Sequence, residues 1–219
     1  MAEEIGATAR EPYAVLAREH RLIERGLEVL GRICAESRRT GKLDAADARQ
    51  VIAFLREFAD RTHHLKEERI LFPAIESASF FPGCGLISEH QLARERVGGM
   101  AAAVDRASQG DADAARAFRR QAWSYIGLLK GHIAKEDDCL ANVTARSFSS
   151  EEGARLGREF EEMERRELGE NVFERYAAIV EALEAKYGVC GPHVPSGCDA
   201  ADDRDGPCFL PLGTGRASG

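Results

Sequence analysis

From Gly83 to Gly191 the chain carries no proline, and strand-forming residues never gather there into alternating runs. A stretch of that kind reads as helix, because proline breaks helices and period-two alternation marks strands. The prolines lie elsewhere. Pro12 opens the first periodic stretch, Pro73 and Pro82 bracket a break, and the rest fall at or beyond Pro192. Apolar spacing predicts helices over roughly 12–38, 44–78, 84–108, 111–145 and 149–187. The breaks between them are Thr40-Gly41, Phe81-Pro82-Gly83, Gly110-Asp111 and Ser149-Ser150-Glu151-Glu152, the last an N-cap with an acidic first turn. Short connections make neighbours antiparallel. The expected fold is all-α: an antiparallel up-down-up-down four-helix bundle with an additional C-terminal helix and an irregular tail. Residues 1–11 read as an N-terminal extension, 12–145 as the bundle, 149–187 as the added helix and 188–219 as a disordered tail rich in Gly, Pro, Asp and Cys.

Composition narrows the class. With 219 residues, 44% hydrophobic, the chain is too apolar for disorder and long enough to bury a substantial core. No run approaches the apolar length of a membrane span, and the acidic start lacks the apolar core of a secretory signal, so the expected compartment is the cytoplasm. A net charge of −7 with no basic patch disfavours nucleic acid. In a reducing compartment the six cysteines read as free thiols.

The six histidines carry the functional signal. Along the first helix the apolar seam runs Tyr13, Leu16, His20, Ile23, Leu27, Leu30, Cys34. The third gives Leu86, His90, Ala93, Val97, Met100, Val104, and the fourth gives Phe118, Ala122, Tyr125, Leu129, His132, Glu136, Cys139, Val143. The second is marked by Phe54, Phe58, Leu65, Phe72 and Ile75. At 100° per residue His64 and Glu68 flank its inner side, whereas His63 points away. A lone seam histidine is more often a hydrogen-bonded core residue, and a lone His-x-x-x-Glu pair more often an exposed ion pair. Four seam histidines, two followed by glutamate one turn on, would leave one core layer full of unsatisfied groups unless a metal satisfied them. The candidate ligands are His20, His64, Glu68, His90, His132 and Glu136. Imidazoles and carboxylates without thiolate suit iron or manganese, with the carboxylates placed to bridge two ions. Zinc needs only four ligands and fits less well.

Several motifs resemble the haemerythrin family, specifically the bacterial cation-binding HHE domains, over roughly residues 10–145. They are Glu19-His20-Arg21 with Ile23; His63-His64-Leu65-Lys66-Glu67-Glu68-Arg69-Ile70-Leu71-Phe72-Pro73; Glu89-His90; and His132-Ile133-Ala134-Lys135-Glu136. The resemblance implies a four-helix bundle around two non-haem iron ions, bridging carboxylates, and an open position for a small diatomic or peroxide ligand. The invertebrate oxygen carriers place two histidines four apart on the third helix, but the residue four after His90 is Arg94. The arrangement is closer to the bacterial iron-cluster repair proteins, which use four histidines and two glutamates and carry acidic residues at positions comparable to Glu89 and Asp60. No amino-terminal cysteine-bearing domain of that type is seen, so cluster repair is not implied.

The expected function is a non-haem di-iron protein that binds, senses or reacts with O2, NO or peroxide. The alternatives are oxidase- or peroxidase-like turnover, an iron-dependent regulatory or interaction module with an unidentified protein partner, and a ferritin-like carboxylate site. The ferritin-like site fits less well because it favours Glu-x-x-His steps. Lesser candidates stay open. Glu24 reads as an extra ligand or a surface charge, and Asp60 and Glu89 as partners of ligand imidazoles or solvated carboxylates. Tyr13 and Tyr125 read as redox groups or packing. His63 and Glu67 are the out-of-phase copy of the second-helix motif. Cys190, His193, Cys198 and Cys208 match no paired zinc pattern, and Cys84 and Cys139 read as small core residues.

Overall fold

The computed structural model describes residues 12–78 and 85–189. Those residues form six helices and no strand. Helix α1 (Pro12–Thr40) starts on proline, whose fixed φ suits the first helical position. It ends at Gly41, with a φ of 70°. Its expected seam is buried from Leu16 through His20, Ile23, Leu27 and Leu30 to Cys34. Helix α2 spans 45–78, with Asp44 as N-cap accepting from the Ala46 and Asp47 amides. Helix α3 (Leu86–Ser108) follows Gly85, whose φ is 80°, and α4 (Ala114–Ser147) follows a tight turn.

Neighbouring helices run antiparallel. Glu19 of α1 meets His63 and Lys66 of α2, while Gly26 faces Phe54. Likewise Asp60 meets Arg94 and Arg49 meets Ser108 between α2 and α3. Glu28 with Lys130 and Ser37 with Arg119 give the same sense to α1 and α4. At Gly26 any Cβ would lie 2.2 Å from the Phe54 ring, so the close α1–α2 approach requires glycine.

Three elements depart from the expected pattern. The α4 seam leaves Cys139 and Val143 half-buried and buries Leu140 and Thr144 instead. A straight helix drifts by about 20° per heptad against a 4,3 spacing, and over this length the drift moves the seam by one residue. The added helix is two: α5 (Ser150–Leu168) and α6 (Val172–Tyr187). Gly169 and Asn171 both take positive φ, 89° and 55°, and that backbone cannot continue a helix. The third departure is inside α2. It begins and ends as α-helix (Ala45–Phe54 and Phe72–Ala78), but Leu55–His64 and Glu67–Leu71 are π-helix. The Leu65 amide donates to the Asp60 carbonyl and the Phe72 amide to that of Glu67, each five residues back.

A main apolar cluster holds Ile23, Leu27, Phe54, Phe58, Ala93, Leu129 and Ile133, and α6 joins it through Val172, Tyr176, Val180 and Leu183. A second cluster holds Leu16, Leu71, Phe72, Leu86, Leu140 and, from α5, Phe160. Among the described residues no helix is long and apolar enough to cross a membrane. Residues 1–11 and 190–219, with Cys190, His193, Cys198 and Cys208, lie outside the described residues, as does Cys84.

Candidate metal centre

Between the two apolar clusters lies one polar layer. On α1 it is His20, between Leu16 and Ile23; on α3 it is His90, between Leu86 and Ala93. On α4 it is His132 and Glu136, and on α2 it is His63, His64 and Glu67. All seven residues are at most 1% exposed.

The two glutamates each reach two imidazoles. Glu136 places Oε2 3.2 Å from His20 Nε2 and Oε1 3.3 Å from His132 Nε2. Glu67 places Oε1 3.5 Å from His63 Nε2 and Oε2 3.4 Å from His90 Nε2. The Nε2 atoms of His90 and His132 stand 3.0 Å apart, and the His64 ring stacks on His90 with centroids 3.9 Å apart. Three groupings converge closely enough to hold an ion: His20, His63, Glu67 and Glu136; Glu67, His90, His132 and Glu136; and His64, His90 and His132.

Four of these imidazoles hydrogen-bond an outer carboxylate through their other ring nitrogen. Nδ1 of His20 meets Asp137 at 2.8 Å, His63 meets Glu19 at 3.0 Å, His90 meets Glu68 at 2.7 Å and His132 meets Glu89 at 2.9 Å. Asp60 lies 3.5 Å from His64 Nδ1. A neutral imidazole donating from Nδ1 leaves Nε2 as a bare lone pair, which is the form that binds metal. Cations hold the carboxylates in turn: Arg21 on Asp137, Lys66 on Glu19, Arg94 on Glu68 and Asp60, and Lys135 on Glu89.

The interior of the layer is left unsatisfied. Among the described residues, every buried side-chain polar atom without a hydrogen-bond partner belongs to His20, His63, His64, Glu67 or Glu136. Native interiors rarely orphan such atoms; of these eight, all but His64 Nδ1, which faces Asp60, belong to the layer's interior, where cations would satisfy them. Burial holds the His63 and His64 pKa values well below the ordinary imidazole value, so both stay neutral. Burial, reinforced by the Glu136 charge, pushes Glu67 well above the usual carboxylate range. Burial also acts to raise Glu136, but the neighbouring imidazoles, His20 foremost, outweigh it and leave it lowered. Two carboxylates facing one another in a dry layer repel, and positive charge between them removes that cost.

Of the residues singled out in the sequence, His20, His64, His90, His132 and Glu136 meet in this layer. Glu68 does not. It lies on the outer side of His90, with Arg94 2.8 Å from the same oxygen, and Glu67 occupies the inward place. His63, expected to point away, is buried with Nε2 inward. The π turns explain both corrections. With bonds to the fifth residue back, rotation per residue falls below that of an α-helix, and residues four to five apart share a face. The buried positions accordingly step through Phe58, His63, Glu67 and Phe72, while Leu65 is only half-buried. The sequence signal for this arrangement is the duplicated motif itself, His63-x-x-x-Glu67 beside His64-x-x-x-Glu68. Asp137 and Glu19 carried no such signal, since each is a partner supplied by a different helix. Glu24 pairs with Arg21 on the surface, Tyr13 approaches Asp137, and Tyr125 is buried beside a cavity of about 280 Å³ that His64, Asp60 and Arg94 also line.

The sequence model of the hemerythrin HHE cation-binding domain matches residues 11–143, more than half of the chain. The chain is also similar to the uncharacterized proteins Mb2018 of Mycobacterium bovis and Rv1995 and MT2051 of Mycobacterium tuberculosis. Each is 24% identical over 189 residues, covering 85% of this chain and 73% of the relative. No solved structure matches. The chain belongs to the hemerythrin HHE cation-binding family.

Proposed function

We propose that this hemerythrin-family protein holds two iron ions in its polar layer and binds a small ligand, O2, NO or peroxide, at that pair. The observation that carries the reading is the reach of Glu67 and Glu136, each of which sets one oxygen toward His20 or His63 and the other toward His90 or His132. A carboxylate so placed is suited to join two ions. His20, His63, Glu67 and Glu136 would hold one ion, and His90, His132 and the same glutamates the other, with His64 beside it. The donor set has no thiolate and more than the four ligands of a zinc site, which favours iron, with manganese and zinc less suited.

Bound iron supplies reversible affinity for small oxygen- and nitrogen-containing ligands. The chain's own part is to keep His63 and His64 neutral by burial, to orient His63, His20, His90 and His132 through Glu19, Asp137, Glu68 and Glu89, and to exclude bulk water with apolar clusters above and below. The cavity between α2 and α3, of about 280 Å³, has the size for a small ligand's approach and reaches His64.

The test is anaerobic reconstitution with ferrous iron, metal analysis, and absorption spectra before and after air or nitric oxide. Two irons per chain and a ligand-dependent near-ultraviolet band are expected. A protein that takes up no iron from iron-replete medium or by reconstitution would overturn the reading.

A further inference from the structure

The outer carboxylates lean on cations of two kinds. Arg21, Lys135 and Arg94 have side chains 54%, 54% and 37% exposed, so water screens their charge. Lys66 is 2% exposed, and its ammonium lies between two carboxylates, Glu19 of α1 and Glu164 of α5, the latter at 2.5 Å. Glu19 is the residue that accepts from His63 Nδ1. A chain of charged and polar groups therefore runs from the partly exposed Glu164 of α5 through the buried Lys66 and Glu19 to His63, and α5 lies beyond the stretch that the family's sequence model matches.

The charges along that chain give Glu164 a role. A buried ammonium with Glu19 as its only partner would direct its whole charge at Glu19 and weaken it as an acceptor for His63. Sharing Lys66 with Glu164 leaves the three groups one negative charge in excess, and the burial of Lys66 and Glu19 keeps water from screening it at the His63 end. Glu19 then stays a strong acceptor, His63 stays locked with its Nε2 lone pair inward, and positive charge beside His63 is favoured.

We propose that Glu164, supplied by α5, is a positioning residue of the metal centre that sets, through Lys66 and Glu19, the orientation of His63 and the charge it feels. This rests on the two-ion reading above. By linkage, whatever α5 contributes to metal affinity, the metal returns to the docking of α5.

The test uses the full chain as wild type, Glu164→Gln, Glu164→Asp and Phe160→Ala, the last loosening α5 packing without touching the charged chain. Each is titrated anaerobically with ferrous iron against a competing chelator, and hydrogen exchange is followed with and without iron. Glu164→Gln is expected to bind one of the two ions about tenfold more weakly and leave the other unchanged, with Glu164→Asp recovering most of the loss. Iron is expected to slow exchange in α5 of the wild type but not of Glu164→Gln. Wild-type affinity in Glu164→Gln, or an equal loss at both ions matched by Phe160→Ala, overturns the proposal. A wild type that takes up no iron overturns the two-ion reading itself, a different result from a loaded wild type with an indifferent variant.

Discussion

Glu67 and Glu68 are adjacent, chemically identical and differently placed, and a substitution at each separates their roles. Glu67 is fully buried with both oxygens unpartnered and aimed into the layer; Glu68 accepts from His90 and Arg94 on its outer side. Glu67→Gln removes the carboxylate charge and one of the two donor oxygens, so the side chain can no longer serve both candidate ion positions, and it is expected to abolish tight binding of at least one ion. Glu68→Gln neutralises the carboxylate behind His90 and Arg94 but leaves an acceptor oxygen, and is expected to weaken binding roughly 10-fold while keeping two ions at saturation. Chelator competition on the two variants measures both. Equal losses in the two would contradict the placement. Elsewhere at this scale, burial pushes the Cys34 thiol up to about 12, which makes it an inert packing group.

The element that decides the centre is the π-helical part of α2. π turns are uncommon and concentrate at functional sites, where the extra width brings otherwise divergent side chains onto one face. Here the gain is that His63, His64 and Glu67 all turn inward. Without cations, the same stretch carries Glu67 against Glu136 and the unpartnered nitrogens of both histidines. Metal removal is therefore expected to raise hydrogen exchange first within 55–71, ahead of α1 and α3. Hydrogen exchange by mass spectrometry on the chelated and iron-loaded protein checks this, and a uniform rise over all helices would count against it. By contrast α5 is closed locally at its start: Ser149 and Glu152 form a reciprocal capping box that needs no partner from the bundle.

At the scale of the whole molecule, the four helices that carry the polar layer are not a finished surface. Tyr176 of α6 packs against both Phe54 and Phe58, with ring centroids 6.1 and 5.8 Å apart, and Phe160 of α5 fills the second cluster. Each large side chain so covered contributes about 1.5–3 kcal/mol. A chain ending after Phe148 is expected to melt roughly 10 °C or more below the full chain and to associate through the exposed face. Thermal unfolding and size-exclusion chromatography read the two effects. A monomeric truncation with an unchanged midpoint would show that α5 and α6 contribute nothing to the bundle. At its far end α6 is held by a bidentate pair from Arg25 to the half-buried Glu184 and by a more exposed pair from Lys186 to Asp44, the latter adding little beside the apolar contact.

The sequence by itself determined the helical class, the proline- and glycine-marked breaks, and the placing of His20, His90, His132 and Glu136 on buried seams. It did so because α-helical periodicity is local, and a regular helix maps spacing directly onto a face. The tertiary structure decided which of two interleaved copies on α2 faces inward, because π turns break that mapping and depend on packing against neighbouring helices and the polar layer. It also decided which carboxylates stand behind the imidazoles, since Glu19 and Asp137 reach His63 and His20 from other helices. Glu164 meets Lys66 across 98 residues of chain. Contacts of that separation leave no periodic trace in a sequence. They exist only once the helices have packed.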